Sequence, residues 1–220
     1  MTDKNITWAI FFSGGGRCAN DCLDLFINQQ LKHHHIDCVV TSGQETPRIQ
    51  NFKEHEIEVI DKSPKEFKSI NEYQKWLVRV LEDRDIDYIF LLGYKYRIRK
   101  DLLKTFKNRI LNIHPSLLPS FKNTQTAIQD AMDMGVRVSG LTTHIIDDKI
   151  DEGYIVEQQA VRLSAHKSFH QIDLDFNRAG KKIIKRTFGF IKRNHSPISY
   201  LEKYLDEIKY SVNLLLLTLI

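Results

Sequence analysis

The run Trp8–Phe12 constrains the fold more than any other feature, because its five residues are all apolar and no polar residue alternates with them. Such a run is typical of a strand that is buried on both faces, as in the interior of a parallel sheet. It ends in the segment 13–16, Ser-Gly-Gly-Gly, after which apolar residues recur at helical spacing over Ala19–Gln30. A strand, a glycine turn and a helix in this order predict a βα unit.

Strands and helices continue to alternate along the chain. Further strands are predicted at Asp37–Thr41, Ile57–Ile60, Ile86–Leu92, Arg109–His114, Val138–Ile146 and Ile155–Arg162. Further helices are predicted at Ser69–Asp85, Lys100–Phe106, Thr126–Met134 and His170–Ile191. This order predicts an α/β fold with a Rossmann-like, mostly parallel sheet, flanking helices and an antiparallel pair of strands near the C-terminal part. Because such sheets bind ligands at the carboxyl ends of their strands, we expect the 13–16 loop, Gly93 and the segment 112–115 to line one rim.

Length and charge limit the classes of protein that the chain can represent. With 220 residues and 42% hydrophobic residues it can fill one domain, predicted over 1–193, plus an extension over 194–220. The apolar end of that extension, Val212–Ile220, has about half the length of a membrane-spanning helix, and the N-terminus lacks a signal-peptide pattern. The net charge of +4 is too small, without a clustered basic face, to predict a nucleic-acid or membrane partner.

Cysteine and histidine usage predicts neither disulfides nor a metal site. Cys18, Cys22 and Cys38 are an odd, sparse set, which favours free thiols in a reducing cytoplasm. Cys18 and Cys22 would share a helical face, but no further ligands stand at zinc-like spacing. The three consecutive histidines 33–35 are interpreted as a polar loop.

The segment 112–119, Asn-Ile-His-Pro-Ser-Leu-Leu-Pro, carries the first candidate catalytic residues. Asn112 and His114 are two apart at the end of a predicted strand, so their side chains point to the same face. Pro115 ends that strand and leaves His114 near the rim. An amide and an imidazole that converge there suit carbonyl chemistry, because either can stabilise an oxyanion and the imidazole can also move a proton. A hydrogen-bonded structural pair is the alternative.

A second informative segment, 140–153, contains three aspartates in a turn between two predicted strands: Asp147, Asp148 and Asp151. Turns favour aspartate for its own backbone hydrogen bonds, so spacing alone would allow all three to be solvated turn residues.

Together the two segments resemble the catalytic signatures of the 10-formyltetrahydrofolate-dependent formyltransferases, most closely those of members that formylate glycinamide ribonucleotide. The first matches Asn-x-His-Pro-Ser-Leu-Leu-Pro; the second matches Gly-x-Ser/Thr followed by hydrophobic-Asp-x-Gly, here Ile150–Gly153. The similarity runs from about Ile10 to about Phe190 and makes residues 1–193 the catalytic domain. It implies the formyltransferase fold and 10-formyltetrahydrofolate as co-substrate. It also implies a small, phosphorylated primary amine as acceptor, with 5′-phosphoribosylglycinamide the leading one, in a monomer or homodimer.

The resemblance also assigns roles to single residues. It makes Asn112, His114 and Asp151 catalytic: the first two stabilise the oxyanion, and Asp151 helps to relay a proton. It places the folate among Tyr96, Arg97, Ile98, His144 and Asp148. It places the acceptor's phosphate on Ser13, Gly14, Gly15, Gly16 and Arg17, where free N–H groups and a helix start suit an anion.

Three departures from the family pattern fall on the acceptor side. The family loop Ser-Gly-x-Gly-Ser-Asn is replaced by Ser-Gly-Gly-Gly-Arg-Cys, Phe121 stands near the position of a Pro-Gly pair, and Asn177 stands near that of a glutamate close to the ribose. The acceptor could therefore be another amine, such as an amino sugar on a nucleotide. A formyl-folate hydrolase would use the same trio with water, but normally brings a second domain. A non-catalytic ligand-binding module would not need all three groups, and a dehydrogenase is disfavoured because the loop lacks the Gly-x-Gly-x-x-Gly register.

Overall fold

The computed structural model describes residues 5–43 and 47–194 of the chain. The strands of this part are β1 Ile6–Phe11, β2 His34–Thr41, β3 Glu58–Asp61, β4 Tyr88–Leu91, β5 Ile110–His114, β6 Val138–Ile145 and β7 Ile155–Arg162. The helices are α1 Arg17–Ile27, α2 Pro47–Glu54, α3 Ile70–Glu82, α4 Lys100–Thr105, α5 Ala127–Asp133 and α6 Phe169–Asn194, with a 3-10 turn at Pro64–Glu66. None of the helices described is both long and apolar enough to cross a membrane.

All seven strands join one sheet in the order β3-β2-β1-β4-β5-β6-β7. The pairs from β3 to β5 are parallel, and the pairs β5·β6 and β6·β7 are antiparallel. The predicted fold class is therefore confirmed, including the antiparallel strands near the C-terminal part. The carboxyl ends of β1, β4 and β5 lie side by side, as the predicted rim requires.

The sheet separates two hydrophobic cores because residues alternate between its faces along each strand. In β1, Trp8 and Ile10 pack towards α1, α2 and α6, whereas Ala9 and Phe11 pack towards α3 and α4. Trp8 is fully buried, with its ring centroid 4.4 Å from that of Phe188. Burial on both faces explains the unbroken apolar run.

Two local predictions need correction. Helix α2, Pro47–Glu54, was not predicted, because its short polar sequence shows only Ile49 and Phe52 at helical spacing. The interpretation of residues 33–35 as a polar loop is wrong, since His34 and His35 belong to β2 and His34 is buried. Trp8 Nε1 donates a hydrogen bond to His34 Nδ1 at 3.0 Å, so the imidazole has a polar partner within the core. The apolar run Val212–Ile220 lies outside the described residues, and the boundary at 193/194 stays a prediction.

The three cysteines are free, and Cys22 and Cys38 are buried. Burial raises the pKa of both thiols, so they are unreactive members of the core. The prediction of free thiols is confirmed.

We predict that His34 makes the fold sensitive to mild acid. Burial lowers the pKa of His34 to about 4, below its ordinary value of 6.5. Below pH 6.5 His34 therefore binds a proton in the unfolded chain but not in the folded protein. The free energy of unfolding consequently falls as the pH drops towards 4. Between pH 7.5 and pH 5, urea titrations should show the wild type losing about 2 kcal/mol more unfolding free energy than the non-titrating variant His34→Gln. Equal losses in the two proteins would show that His34 protonates freely in the folded state.

Candidate active site

The pairing of β5 with β6 brings the two sequence signatures together. Asn112 lies opposite His144 and His114 lies opposite Thr142 in this antiparallel register. Asn112 and His114 share one face, as their spacing predicted, while Ile113 packs into the core on the other. Residues 32 and 28 positions apart in sequence thus become cross-strand neighbours.

Asp151 completes the group from the turn between β6 and β7. Its Oδ2 lies 3.5 Å from His114 Nδ1 and its Oδ1 lies 3.7 Å from His144 Nε2, so the carboxylate sits between two imidazoles. The side chain is 11% exposed, and Oδ2 also accepts a hydrogen bond from the Asn123 N–H at 2.9 Å. The predicted trio of Asn112, His114 and Asp151 therefore does converge at one strand end. Asp147 caps its own turn by accepting from the Lys149 N–H.

His144 is a buried neutral member of this network. Burial lowers its pKa, an effect that the Asp151 carboxylate partly opposes. Its Nδ1 lies 3.2 Å from the Ile145 carbonyl, which fixes the proton on Nδ1 and leaves Nε2 as an acceptor. Asn112 Nδ2 then donates to that Nε2 at 3.1 Å, and the second N–H of the amide stays available for a ligand.

His114 is oriented from its other nitrogen. Nε2 donates to the Phe121 carbonyl at 2.8 Å, so Nδ1 is the nitrogen that faces Asp151. The ring is 6% exposed. An amide N–H, an imidazole and a carboxylate that meet in a mostly dry site suit the stabilisation of an oxyanion and the movement of a proton.

Thr142 and Gln158 brace the segment that follows His114, and sequence reasoning did not single them out. Thr142 Oγ1 donates to the Ser116 carbonyl at 2.7 Å and accepts from the Leu118 N–H at 3.0 Å. Gln158 Nε2 donates to Thr142 Oγ1 and to the Leu118 carbonyl, at 3.1 and 3.0 Å. The Thr of the second signature could have indicated this role, because a buried hydroxyl needs partners.

The glycine loop lies at the first βα junction, as predicted. Gly16 has a φ of 58°, and a Cβ there would lie 2.6 Å from the Phe12 ring, so only glycine fits. No side chain caps the start of α1, which leaves its first N–H groups for a ligand. Ser13 is half-buried and contacts the segment after β4: its N–H donates to the Gly93 carbonyl at 3.0 Å and its Oγ accepts from the Lys95 N–H at 3.3 Å.

The cations around this loop are engaged by the chain itself. Arg17 forms a two-pronged pair with the Asp173 carboxylate, at 2.8 and 3.3 Å, and does not reach over the loop. Arg48 of the unpredicted α2 donates to the Gly15 carbonyl. One helical turn beyond Asp173, Asn177 keeps a buried Oδ1 that accepts no hydrogen bond within the described residues.

A cleft of about 750 Å³ opens between the segment after β4, α4 and the Ile146–Asp148 turn, and none of Asn112, His114 and Asp151 lines it. Three of the predicted folate residues line it: Arg97, Ile98 and Asp148. Tyr96 does not; it packs on Tyr94, with ring centroids 5.6 Å apart. His144 is 1% exposed and contacts Asn112, Asp151 and the Ile145 carbonyl, so the structure places it beneath the site.

Buried Gln74 of α3, also missed from sequence, fixes the wall of this cleft. Its Nε2 donates to the Arg97 carbonyl at 2.8 Å and its Oε1 accepts from the Arg99 N–H at 2.7 Å. The irregular backbone between β4 and α4 thereby satisfies its polar groups without a strand partner.

Comparisons with known proteins agree with this geometry. The formyl transferase family model matches residues 6–188. Phosphoribosylglycinamide formyltransferase of Bacillus subtilis (strain 168) is 31% identical over 134 residues, which are 59% of this chain and 68% of that protein. The crystal structure of phosphoribosylglycinamide formyltransferase from Bacillus halodurans superposes with a TM-score of 0.78 at 30% identity, over 83% of this chain and 93% of the other. The chain also matches trifunctional purine biosynthetic proteins of Gallus gallus and Homo sapiens, but spans only 10% and 15% of their length.

We predict that Thr142→Val destabilises the protein by about 1–3 kcal/mol, because the Ser116 carbonyl and the Leu118 N–H lose their buried partner. Thr142→Ser keeps the hydroxyl and should cost about 1 kcal/mol or less for the lost methyl group. Urea unfolding measures both values. If the valine variant is no less stable than the serine variant, the hydroxyl does not brace the segment after His114.

Proposed function

The chain belongs to the formyl transferase family, and on that premise we propose that it transfers the formyl group of 10-formyltetrahydrofolate to the primary amine of 5′-phosphoribosylglycinamide. The relatives described above are phosphoribosylglycinamide formyltransferases, which supports this acceptor. The single observation that carries the proposal is the convergence of Asn112, His114 and Asp151 at the end of β5. A module that only binds a ligand has no need of all three groups.

The geometry supports a direct reaction path. The acceptor nitrogen attacks the formyl carbon on N10, which forms a C–N bond and places negative charge on the formyl oxygen. The free N–H of Asn112 donates to that oxyanion, and His114, as an imidazolium beside Asp151, stabilises the charge through its own positive charge. Collapse of the intermediate breaks the bond from carbon to N10, while the Asp151–His114 pair relays a proton from the attacking amine to N10.

We assign the donor to the cleft lined by Arg97, Ile98 and Asp148, which lies next to the turn that carries Asp151. Its apolar residues Ile98, Leu103 and Ile146, with backbone polar groups beside them, suit the face of a planar pterin ring. His144 serves here as a positioning residue, because it contacts Asn112 and Asp151 and is shielded from any ligand. Tyr96 does not line this cleft. It stays a predicted folate contact, one that would touch the part of the ligand outside the cleft.

The acceptor's phosphate is assigned to the 13–16 loop, through the uncapped N–H groups at the start of α1. Arg17 can join it only by leaving Asp173. That pairing, together with Asn177 in place of a carboxylate, favours a second candidate with the same chemistry: transfer to another amine, such as an amino sugar on a nucleotide. The free cysteines suit a cytoplasmic enzyme, and a monomer or homodimer stays the predicted assembly.

Incubation of the purified chain with 10-formyltetrahydrofolate and a panel of amines tests the proposal. We expect tetrahydrofolate release, followed by absorbance, to require phosphoribosylglycinamide and to yield the formylated amide. If tetrahydrofolate is released only when an amino sugar nucleotide is present, that compound is the acceptor and phosphoribosylglycinamide is not. If tetrahydrofolate is released without any amine, the protein is a hydrolase. If no amine leads to release, the protein is not a formyltransferase.

We predict that Asp151→Asn lowers kcat by about 100-fold or more, because the amide keeps the shape of the side chain but cannot accept a proton. Asp148→Asn is the matched control: its carboxylate lies in the same turn but contacts neither imidazole, so kcat should change far less. Steady-state kinetics at saturating substrates compares them. Equal losses would mean that Asp151 is not the proton-relaying carboxylate.

A further inference from the structure

Three consecutive residues, 121–123, contact the catalytic group with their backbone. At one end of this segment the Phe121 carbonyl accepts a hydrogen bond from His114 Nε2 at 2.8 Å. At the other end the Asn123 N–H donates to Asp151 Oδ2 at 2.9 Å. This Oδ2 is the carboxylate oxygen that lies 3.5 Å from His114 Nδ1. The segment therefore contacts both members of the pair that relays the proton.

The backbone of the segment 121–123 is strained. Phe121 has a φ of 53° and Asn123 has a φ of 60°. The left-handed region is unfavourable for residues with a Cβ, and more so for a bulky side chain such as that of phenylalanine than for asparagine. Strained residues keep such a conformation only where surrounding contacts determine it. The segment therefore depends on contacts that hold it against the catalytic turn.

The middle residue, Lys122, supplies a side-chain contact to that turn. Its Nζ donates to Glu152 Oε1 at 2.6 Å, and Glu152 directly follows Asp151 in the chain. The ion pair thus stands beside the hydrogen bond between Asn123 and Asp151 and joins the same two segments. The Lys122 ammonium lowers the pKa of the Glu152 carboxyl, so both partners stay charged at neutral pH. Their side chains are 41% and 40% exposed, so the pair is open to replacement without disturbing the core.

We propose that Lys122 is a positioning residue for formyl transfer, which acts by holding the segment 121–123 against the turn through Glu152. The inference rests on the proposed function. The carbonyl at one end of the segment then orients the His114 ring, and the N–H at the other end orients the Asp151 carboxylate. Without the ion pair the strained segment relaxes, and fewer molecules have the imidazole and the carboxylate aligned. The rate of the chemical step falls, whereas substrate binding is little affected.

A double-mutant cycle in the purified protein tests the inference. Lys122→Met and Glu152→Gln each remove the ion pair and keep a side chain of similar length. Each should lower kcat by about three- to fivefold, the upper range for one exposed ion pair, while the KM of both substrates stays close to the wild-type value. The double variant Lys122→Met/Glu152→Gln should lose no more than either single variant, because all three lack the same interaction.

Two further variants distinguish the ion pair from the charge of its members. The exchange Lys122→Glu/Glu152→Lys restores the pair with its charges reversed and should recover most of the wild-type kcat. Lys149→Met is the matched control, since Lys149 Nζ also lies near Glu152, at 4.0 Å. Lys149 belongs to the turn itself and cannot join it to the segment 121–123, so this variant should keep the wild-type kcat.

The outcomes separate this inference from the proposed function. An unchanged kcat in Lys122→Met overturns the positioning role and leaves formyl transfer intact. Additive losses in the cycle, or an exchange variant no more active than the single variants, also overturn it. If the wild type turns over no formyl donor, the proposed function fails, and hydrogen exchange of the backbone amides of 121–123 then decides. Exchange should be faster in Lys122→Met than in Lys149→Met, and equal rates overturn the inference.

Discussion

The antiparallel pairing of β5 with β6 is the constraint on which the site depends. It sets Asn112 opposite His144 and His114 opposite Thr142, so both candidate catalytic residues of the first signature lie opposite residues of the second. A shift of one residue would turn Asn112 and His114 to the opposite face. The register is held by burial, because Leu111 and Ile145, paired in the same ladder, both lie in the core. The same pairing that closes the sheet therefore assembles the chemistry.

Asp151 adds a second constraint, which is conformational. It has a φ of 55°, a region that aspartate tolerates better than most residues but that costs free energy outside glycine. The turn packs so closely on β6 that only glycine fits at position 153, where a Cβ would collide with the Ile145 carbonyl oxygen, and the Asn123 N–H binds the carboxylate. Packing of the turn against β6 thus offsets the strain and keeps the carboxylate between the imidazoles.

The sequence could predict those parts of the molecule that local pattern determines. The apolar run of β1, the amphipathic α3 and the strand before Pro115 follow from periodicity, and the trio follows from two motifs. The buried side chains that hydrogen-bond to irregular backbone segments could not be predicted in this way. Thr142 and Gln74 hold backbone groups 24 and 23 positions away, and only the folded chain shows which groups those are. The prediction of a polar loop at His34 was wrong for the same reason. His34 accepts a hydrogen bond from the Trp8 side-chain N–H, and this bond lets a polar side chain lie in a core strand.

The two sides of the sheet also differ in how their charges are used. On the acceptor side, Arg17 and Arg48 are already bound by Asp173 and by the Gly15 carbonyl, so an incoming phosphate must rely on backbone N–H groups or break an existing contact. On the donor side the basic residues that line the cleft form no ion pair among the described residues, although Arg97 donates to the Asp148 carbonyl at 3.1 Å. An exposed pair such as Arg17–Asp173 contributes about 1 kcal/mol or less, so a phosphate that offers Arg17 a stronger partner can displace it. The altered loop is therefore compatible with an anionic ligand, provided that the Arg17–Asp173 ion pair opens.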